Sequence, residues 1–106
     1  MRHTAVPKSA LVRKGAERPG PSDHENTIRC ANVLAQPPRR ITIVDDVVTR
    51  GATLLGCARV VAARFPDCEV RGLAVVRTMS KQEITSMLDP VEGHIRMVNG
   101  APRREP

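Results

Sequence analysis

The hydrophobic pattern is clearest in the middle of the chain. The predicted strand, Ile41 to Asp45, is a mostly apolar and β-branched run. It leads into two adjacent carboxylates, Asp45 and Asp46, and two valines follow. After a turn of small residues, Thr49–Thr53, the apolar residues recur at the spacing of an amphipathic helix. This change of period predicts a strand, a loop and a helix in succession. The nearly continuous apolar character of the strand is typical of a parallel sheet that is buried on both faces.

Further elements are predicted after this strand. The helix should span Thr53–Arg64, because Pro66 cannot continue its hydrogen-bond ladder. The next strand, Glu69–Arg77, should lie parallel to the first, since a strand–helix–strand unit of this length forms a right-handed crossover. The remaining predictions are a capped helix at Ser80–Leu88, a strand at His94–Val98, a turn at Asn99-Gly100 and a frayed basic tail from Ala101 to Pro106.

The first 35 residues are less regular. Two candidate strands, roughly Ala5–Arg13 and Thr27–Leu34, flank a segment of Gly, Pro and small polar residues at 15–23. This composition is typical of a mobile loop. His24 lies in the same polar region, and we expect it to be exposed to solvent or to cap a helix.

Composition limits the classes of protein that the chain can represent. Its 106 residues form one domain at most, and with a single Phe and no Trp or Tyr its core must be aliphatic. No apolar run is long enough for a membrane span, and the first residues lack the apolar region of a secretory signal, so we expect a cytoplasmic protein. The odd number of cysteines without Cys-x-x-Cys spacing favours reduced thiols, at Cys30, Cys57 and Cys68.

The charge is basic, with 17 Lys and Arg against 11 Asp and Glu, a net +6. Basic chains often bind polyanions. The cations are scattered and no aromatic residues are placed to stack on bases, so a nucleic acid is not the favoured partner. A small, highly charged anion such as pyrophosphate explains part of this balance, and a solvated basic surface explains the rest.

The central stretch resembles a known motif. Val44-Asp45-Asp46-Val47-Val48-Thr49, with Gly51-Ala52-Thr53, is similar to the phosphoribosyl-pyrophosphate (PRPP) motif of type I phosphoribosyltransferases, in which two acidic and two hydrophobic residues precede a Thr/Ser–Gly–x–Thr turn. Thr42 stands where that family usually has an aliphatic residue, and Arg50 stands where Thr is commoner. No Gly-Lys-Ser/Thr follows the strand, which excludes a Walker A loop.

The resemblance implies an α/β fold, a Rossmann-like parallel sheet of the type I phosphoribosyltransferase fold. Within it, residues 5–34 would form a hood hairpin of the ComF-like branch. The chain would be a single, partial domain over 1–106, with a flexible hood at 1–35, an α/β core at 41–98 and a tail at 99–106. Relatives carry an earlier strand, helix and pyrophosphate loop, so we expect a fold truncated at its N-terminus. A homodimer or a partner chain would then cover the missing part.

The function implied by the resemblance is binding of PRPP with Mg²⁺ and transfer of the phosphoribosyl group to a nitrogen acceptor, with release of pyrophosphate. Asp45 and Asp46 would be catalytic, because carboxylates that contact the ribose stabilise the developing cation. Mg²⁺ would be held by the substrate near these two carboxylates, without a direct protein ligand. The 5′-phosphate would be bound by five consecutive residues: Thr49, Arg50, Gly51, Ala52 and Thr53.

Other basic residues are candidates for the remainder of the site. Arg77 would lie at the same sheet edge as the acidic pair, either on the acceptor side or simply paired with a carboxylate. The hood cations would reach the leaving pyrophosphate or only keep the loop soluble; they are Lys8, Arg13, Lys14 and Arg18.

Three functions stay open at this point. The chain is interpreted first as a phosphoribosyltransferase, inactive if the absent pyrophosphate loop is essential. It is interpreted second as a non-catalytic PRPP- or nucleotide-binding regulatory module, and third as a basic nucleic-acid binder. The acceptor cannot be read from the sequence.

Overall fold

The protein has a mixed α/β fold, as expected. The computed structural model describes residues 19–31, 36–78 and 90–105. In chain order the elements are α1 (Pro21–Thr27), β1 (Arg40–Val48), α2 (Ala52–Arg64), β2 (Glu69–Arg77), β3 (His94–Val98) and β4 (Ala101–Glu105). They form a two-stranded parallel sheet, β1–β2, and a two-stranded antiparallel sheet, β3–β4.

The β1–α2–β2 unit is the part of the fold that the hydrophobic pattern predicted best. The strands pair in parallel from Arg40 opposite Glu69 to Val48 opposite Arg77, which confirms the expected crossover unit. α2 starts one residue before its predicted start and ends where predicted, and the predicted bounds of β2 are confirmed. β1 continues past the acidic pair, so both carboxylates belong to the strand.

One face of this sheet differs from expectation. Gly72 approaches the Leu54 side chain of α2, so the face that contains Gly72 packs on the helix. On the opposite face Val44, Leu73 and Val75 are 65%, 55% and 77% exposed. The prediction that both faces of this sheet are buried is therefore wrong, because among the described residues the helices cover one face only.

Within the described part of the chain, no helix is long and apolar enough to cross a membrane.

The predicted hood hairpin is wrong where the structure describes it. α1 occupies Pro21–Thr27, where a loop and the start of a strand were expected. Of the predicted strand Thr27–Leu34, Ile28 forms an isolated β-bridge, residues 29–31 are irregular, and residues 32–34 lie outside the described residues. The helix forms because Pro21 suits a first helical position and the Asp23 carboxylate accepts a 2.7 Å hydrogen bond from the Gly20 amide. The first predicted hood strand, Ala5–Arg13, lies outside the described residues, as does the predicted helix Ser80–Leu88.

α1 packs on α2 through a glycine. A Cβ atom on Gly56 would lie 2.7 Å from both the His24 Cβ and the Pro21 carbonyl oxygen, so the two helices approach at this point more closely than a side chain would permit. An ion pair of 2.8 Å between Arg59 and Glu25 lies across the same interface. This packing buries His24, which is only 8% exposed; the expectation of an exposed histidine is wrong.

The predicted tail is also wrong, because residues Ala101–Glu105 form β4 and pair with β3. The predicted turn is confirmed: Asn99 and Gly100 have φ angles of 50° and 78°, the left-handed values of a type I′ hairpin turn. Pro102 is compatible with the strand, since a proline is tolerated where no ladder hydrogen bond is needed from its nitrogen. The chain end is thus a hairpin.

Replacing Gly56 with alanine should destabilise the protein. Alanine favours a helix interior by about 1 kcal/mol over glycine, but the two 2.7 Å contacts would force α1 away from α2. Overpacking of this kind costs about 1–3 kcal/mol, so we expect a lower Tm in thermal unfolding followed by circular dichroism.

Ala63→Gly, at an exposed position of the same helix, measures the propensity term alone. A Tm of Gly56→Ala above that of the wild type would contradict the close approach of the helices.

Candidate functional site

The candidate site is a hollow at the carboxyl end of β1. It has a volume of about 380 Å³ and is open to solvent. The loop that joins β1 to α2 forms one wall and the β3–β4 hairpin forms the other. Its lining residues are Thr49, Arg50, Val98, Ala101, Pro102, Arg103 and Arg104. Ligands of open α/β sheets bind at this end of the strands.

The loop turns into α2 at Gly51, which is buried and left-handed, with φ 84°. Its carbonyl oxygen accepts the first helical hydrogen bond, 2.9 Å from the Leu55 amide. No side chain caps this end of α2, and its first turn has no acidic residue. The first amides of a helix lack partners within the helix and carry the positive end of its dipole, so this wall suits an anion.

Gly51 also sets the position of the hairpin. A Cβ at this residue would lie 2.5–2.9 Å from three atoms of the Ile95 side chain, so β3 packs directly on the glycine backbone. Sequence reasoning predicted β3 but did not predict this contact. Without it the second wall of the hollow would have no support at the loop.

The acidic pair lies just before this loop, and its carboxylates bind the backbone. The Asp45 Oδ1 accepts a 3.0 Å hydrogen bond from the Asp46 amide, and the Asp46 Oδ1 accepts one of 2.8 Å from the Val47 amide. Asp45 is half-buried, whereas Asp46 is exposed. The pKa of Asp45 is raised, chiefly by burial and further by the neighbouring Asp46 side chain. The Asp46 amide and the charge of His24 oppose this shift.

His24 connects α1 to the site region. Its Nε2 lies 3.4 Å from the Thr53 Oγ1, so the hydroxyl of Thr53 contacts α1. Sequence reasoning missed this buried histidine because the glycines and prolines around it suggested a loop. The signal available was the run Gly20-Pro21-Ser22-Asp23, which is typical of a helix start.

Two arginines at this edge have unmet hydrogen-bonding capacity. The Arg77 Nη2 and the Arg104 Nη1 are buried, and neither has a hydrogen-bond partner among the described residues. The Arg104 Nη2 donates a 2.9 Å hydrogen bond to the Thr78 carbonyl oxygen, which ties β4 to the end of β2. Arg104 had been assigned to a frayed tail, so its position was not foreseen.

The predicted site residues are therefore distributed as follows. Thr49 and Arg50 line the hollow, whereas the other predicted residues of the loop and the acidic pair are not among its lining residues: Asp45, Asp46, Gly51, Ala52 and Thr53. Arg77 ends β2, and within the described ranges it forms no ion pair with a carboxylate. The four hood cations lie outside those ranges: Lys8, Arg13, Lys14 and Arg18.

Two further findings concern this site: whether its residues could bind a metal ion, and whether the chain is similar to known proteins. Among residues 19–31, 36–78 and 90–105, no group of three or more His, Cys, Asp or Glu side chains could hold a metal ion. No protein-family model matches the chain, and neither the curated proteins nor the solved structures contain a significant match.

Alanine at Gly51 should displace the hairpin. The left-handed φ of 84° disfavours a side chain, and the Cβ would overlap Ile95. Gly100 has a similar φ, 78°, but open space around its Cβ position, so Gly100→Ala carries the backbone strain without the overlap.

We expect Gly51→Ala to lose about 1–3 kcal/mol more of the free energy of unfolding than Gly100→Ala, measured by urea titration. Ile95→Ala should reduce that difference in the double variant by making room. Equal losses at the two glycines would show that the overlap is unimportant.

Asp45→Asn should stabilise the protein at neutral pH. A carboxyl group with a raised pKa favours its protonated form in the folded state. Its ionisation therefore reduces stability as the pH rises from the unfolded pKa through the folded one. Asparagine keeps the Oδ1 acceptor for the Asp46 amide and removes the charge.

The Tm of Asp45→Asn should exceed that of the wild type at pH 7, and the difference should shrink below about pH 4, the ordinary range of an aspartate pKa. Thermal unfolding across this pH range measures it. A Tm difference that does not change with pH would mean that the charge of Asp45 is not responsible.

Proposed function

We propose that this protein is a phosphoribosyltransferase of the type I class, which binds PRPP with Mg²⁺ and transfers the phosphoribosyl group to a nitrogen acceptor. Its β1–α2–β2 unit would then be part of the Rossmann-like sheet of that fold. The observation that carries the proposal is the hollow of about 380 Å³ beside Thr49 and Arg50, in the loop that follows the acidic pair along the chain and precedes α2. A sugar phosphate needs this combination of an anion site and nearby carboxylates.

The phosphate end of the ligand would bind the loop. Thr49 and Arg50 line the hollow, and α2 begins two residues later along the chain, at Ala52. Backbone amides and a helix dipole bind a dianion without a dedicated cation. Arg50 is exposed and adds a positive charge at the rim. Thr53 would take part through its amide, since its hydroxyl is near His24.

The acidic pair would act on the ribose. Asp46 is exposed, and its carboxylate can accept hydrogen bonds from the ribose hydroxyls in addition to the Val47 amide. Asp45 accepts a hydrogen bond from the Asp46 amide, and its carboxylate would lie near the sugar. As pyrophosphate leaves C1, positive charge develops on the ribose, and fixed carboxylates stabilise it.

Mg²⁺ prefers hard oxygen ligands, which the substrate's pyrophosphate and diol would supply near Asp45 and Asp46, without a direct protein ligand. The bound ion would neutralise the charge of the departing pyrophosphate. The positive charge of the ion would also favour the ionised form of Asp45, whose pKa is raised without it. Roles in pyrophosphate binding for Lys8, Arg13, Lys14 and Arg18 stay predictions, as does the covering homodimer or partner chain.

A regulatory module that binds PRPP without reaction would use the same hollow and the same carboxylates. It differs from the enzyme only in releasing no pyrophosphate. A nucleic-acid binder would instead need an extended basic surface, and five arginines in the described residues are ion-paired with glutamates. Because the enzyme and the regulatory module would bind PRPP in the same hollow, binding of PRPP and release of pyrophosphate have to be measured separately.

Isothermal titration calorimetry with PRPP and Mg²⁺ tests the proposal. We expect saturable heat for the wild type, and affinity lower by about 10- to 100-fold in Asp46→Asn, because a hydrogen bond to a charged acceptor contributes about 1.5–3 kcal/mol. Asp67→Asn, an exposed carboxylate in the turn between α2 and β2, is the matched control and should bind normally.

Pyrophosphate release with candidate nitrogen acceptors then separates the enzyme from the regulatory module. Binding without release would favour the module. No heat with PRPP, or the same affinity in the wild type and Asp46→Asn, would exclude both. Binding of a nucleic acid that does not depend on Asp46 would favour the third interpretation.

A further inference from the structure

We propose that Arg104, on the C-terminal hairpin, binds the phosphate group of the ligand from the side of the hollow opposite to Thr49 and Arg50. The identity of the ligand rests on the proposed function, but the binding of phosphate can be tested without it. The β3–β4 hairpin would then be half of the phosphate site rather than a peripheral addition. The argument depends on where the hairpin is attached and on which arginines lack partners.

The hairpin is attached to the parallel unit at two points. Ile95 and Arg104 are directly opposite each other in the antiparallel register, so their side chains share one face of the hairpin. Ile95 packs on Gly51, at the end of the loop, and Arg104 donates a hydrogen bond to the Thr78 carbonyl oxygen, just after β2. The face that carries Arg104 is therefore turned toward the edge where the loop opens α2.

The guanidinium group of Arg104 is only partly satisfied. Its Nη2 binds Thr78, whereas its Nη1 is buried without a partner in the described part of the chain. The Nη2 of Arg77, the residue before Thr78, is also buried without a hydrogen-bond partner in that part of the chain. A buried donor without an acceptor is unfavourable. Arg104 also lines the hollow, so a phosphate oxygen bound there would supply an acceptor for its guanidinium group.

Charge pairing differs among the arginines of the described residues. Five form ion pairs with glutamates: Arg40, Arg59, Arg71, Arg96 and Arg103. Three near the carboxyl edge of the parallel sheet form no ion pair with a described carboxylate, and they are Arg50, Arg77 and Arg104. Arg103 lines the hollow but is paired with Glu105, so the unpaired positive charge among the lining residues comes from Arg50 and Arg104.

The two walls complement each other. The loop wall carries Thr49 and Arg50, and the hairpin wall offers the planar guanidinium of Arg104. Arginine binds phosphate through two parallel hydrogen bonds, which a lysine cannot reproduce. A phosphate group held from both sides would have its oxygens shared between the loop and Arg104. The hollow is also in the size range of small-molecule sites, about 300–1,000 Å³.

The test compares Arg104→Gln, Arg104→Lys and Arg96→Gln by calorimetry with ribose 5-phosphate, inorganic phosphate and PRPP. Arg96 is on the same hairpin and its loss removes the same charge, but it is paired with Glu105 on the other face. We expect Arg104→Gln to weaken ribose 5-phosphate binding by about 10- to 100-fold, Arg104→Lys to weaken it less, and Arg96→Gln to leave it unchanged.

Arg104→Gln also removes the hydrogen bond to Thr78, so a weaker affinity could come from displacement of the hairpin. A second measurement therefore uses the wild-type protein. In nuclear magnetic resonance spectra, the side-chain Nε–H signal of Arg104 should shift on titration with inorganic phosphate, and that of Arg96 should not. Wild-type affinity in both Arg104 variants, or an unchanged Arg104 signal at saturating phosphate, would overturn the inference.

The outcomes separate this inference from the proposed function. Binding of PRPP that is indifferent to Arg104 but lost in Asp46→Asn would reject the role of the hairpin and keep the function. Binding of phosphate that depends on Arg104, without binding of PRPP, would keep the phosphate site and reject the function. A polynucleotide that competes with inorganic phosphate and is lost in Arg104→Lys would identify the phosphate as part of a nucleic-acid backbone.

Discussion

The contact between Gly51 and Ile95 determines the form of the whole site. At Gly51 the chain passes from the edge of a parallel sheet into a helix through a left-handed conformation, and the missing side chain leaves room for β3. A single residue thus meets two demands, one on the backbone and one on packing. The start of α2 and the β3–β4 hairpin are brought together as a result, and the hollow lies between the hairpin and the preceding loop residues Thr49 and Arg50.

The sequence predicted the central unit well for a physical reason. A β-branched run, a small-residue turn and a helix bounded by Phe65-Pro66 leave few alternatives, and the length of the crossover determines that β1 and β2 are parallel. The errors occurred where local signals conflicted. The glycines and prolines before α1 favoured the prediction of a loop over a capped helix start. Pro102 and its basic neighbours favoured the prediction of a frayed tail. Asn-Gly is typical of a two-residue hairpin turn, and the prediction of a tail did not use this signal.

The loop half of the candidate site was predictable, whereas the other half was not. Thr49, Arg50 and the acidic pair are consecutive with β1, so the strand–loop–helix pattern places them together. Arg104 and His24 arrive from elements that are distant in sequence, and no period or spacing specifies their contacts with Thr78 and Thr53. Such contacts follow from tertiary packing, which a single sequence does not encode in any local pattern.

The hairpin has a kinetic consequence. Its pairing is local and can form within about 1–10 μs, whereas β1 and β2 must first close a long loop. A lone two-stranded hairpin is marginally stable in water, so β3–β4 depends on its docking at Ile95 and Arg104. Loss of these two contacts would therefore unfold the hairpin while β1, α2 and β2 stay folded, because local units of a protein can open separately.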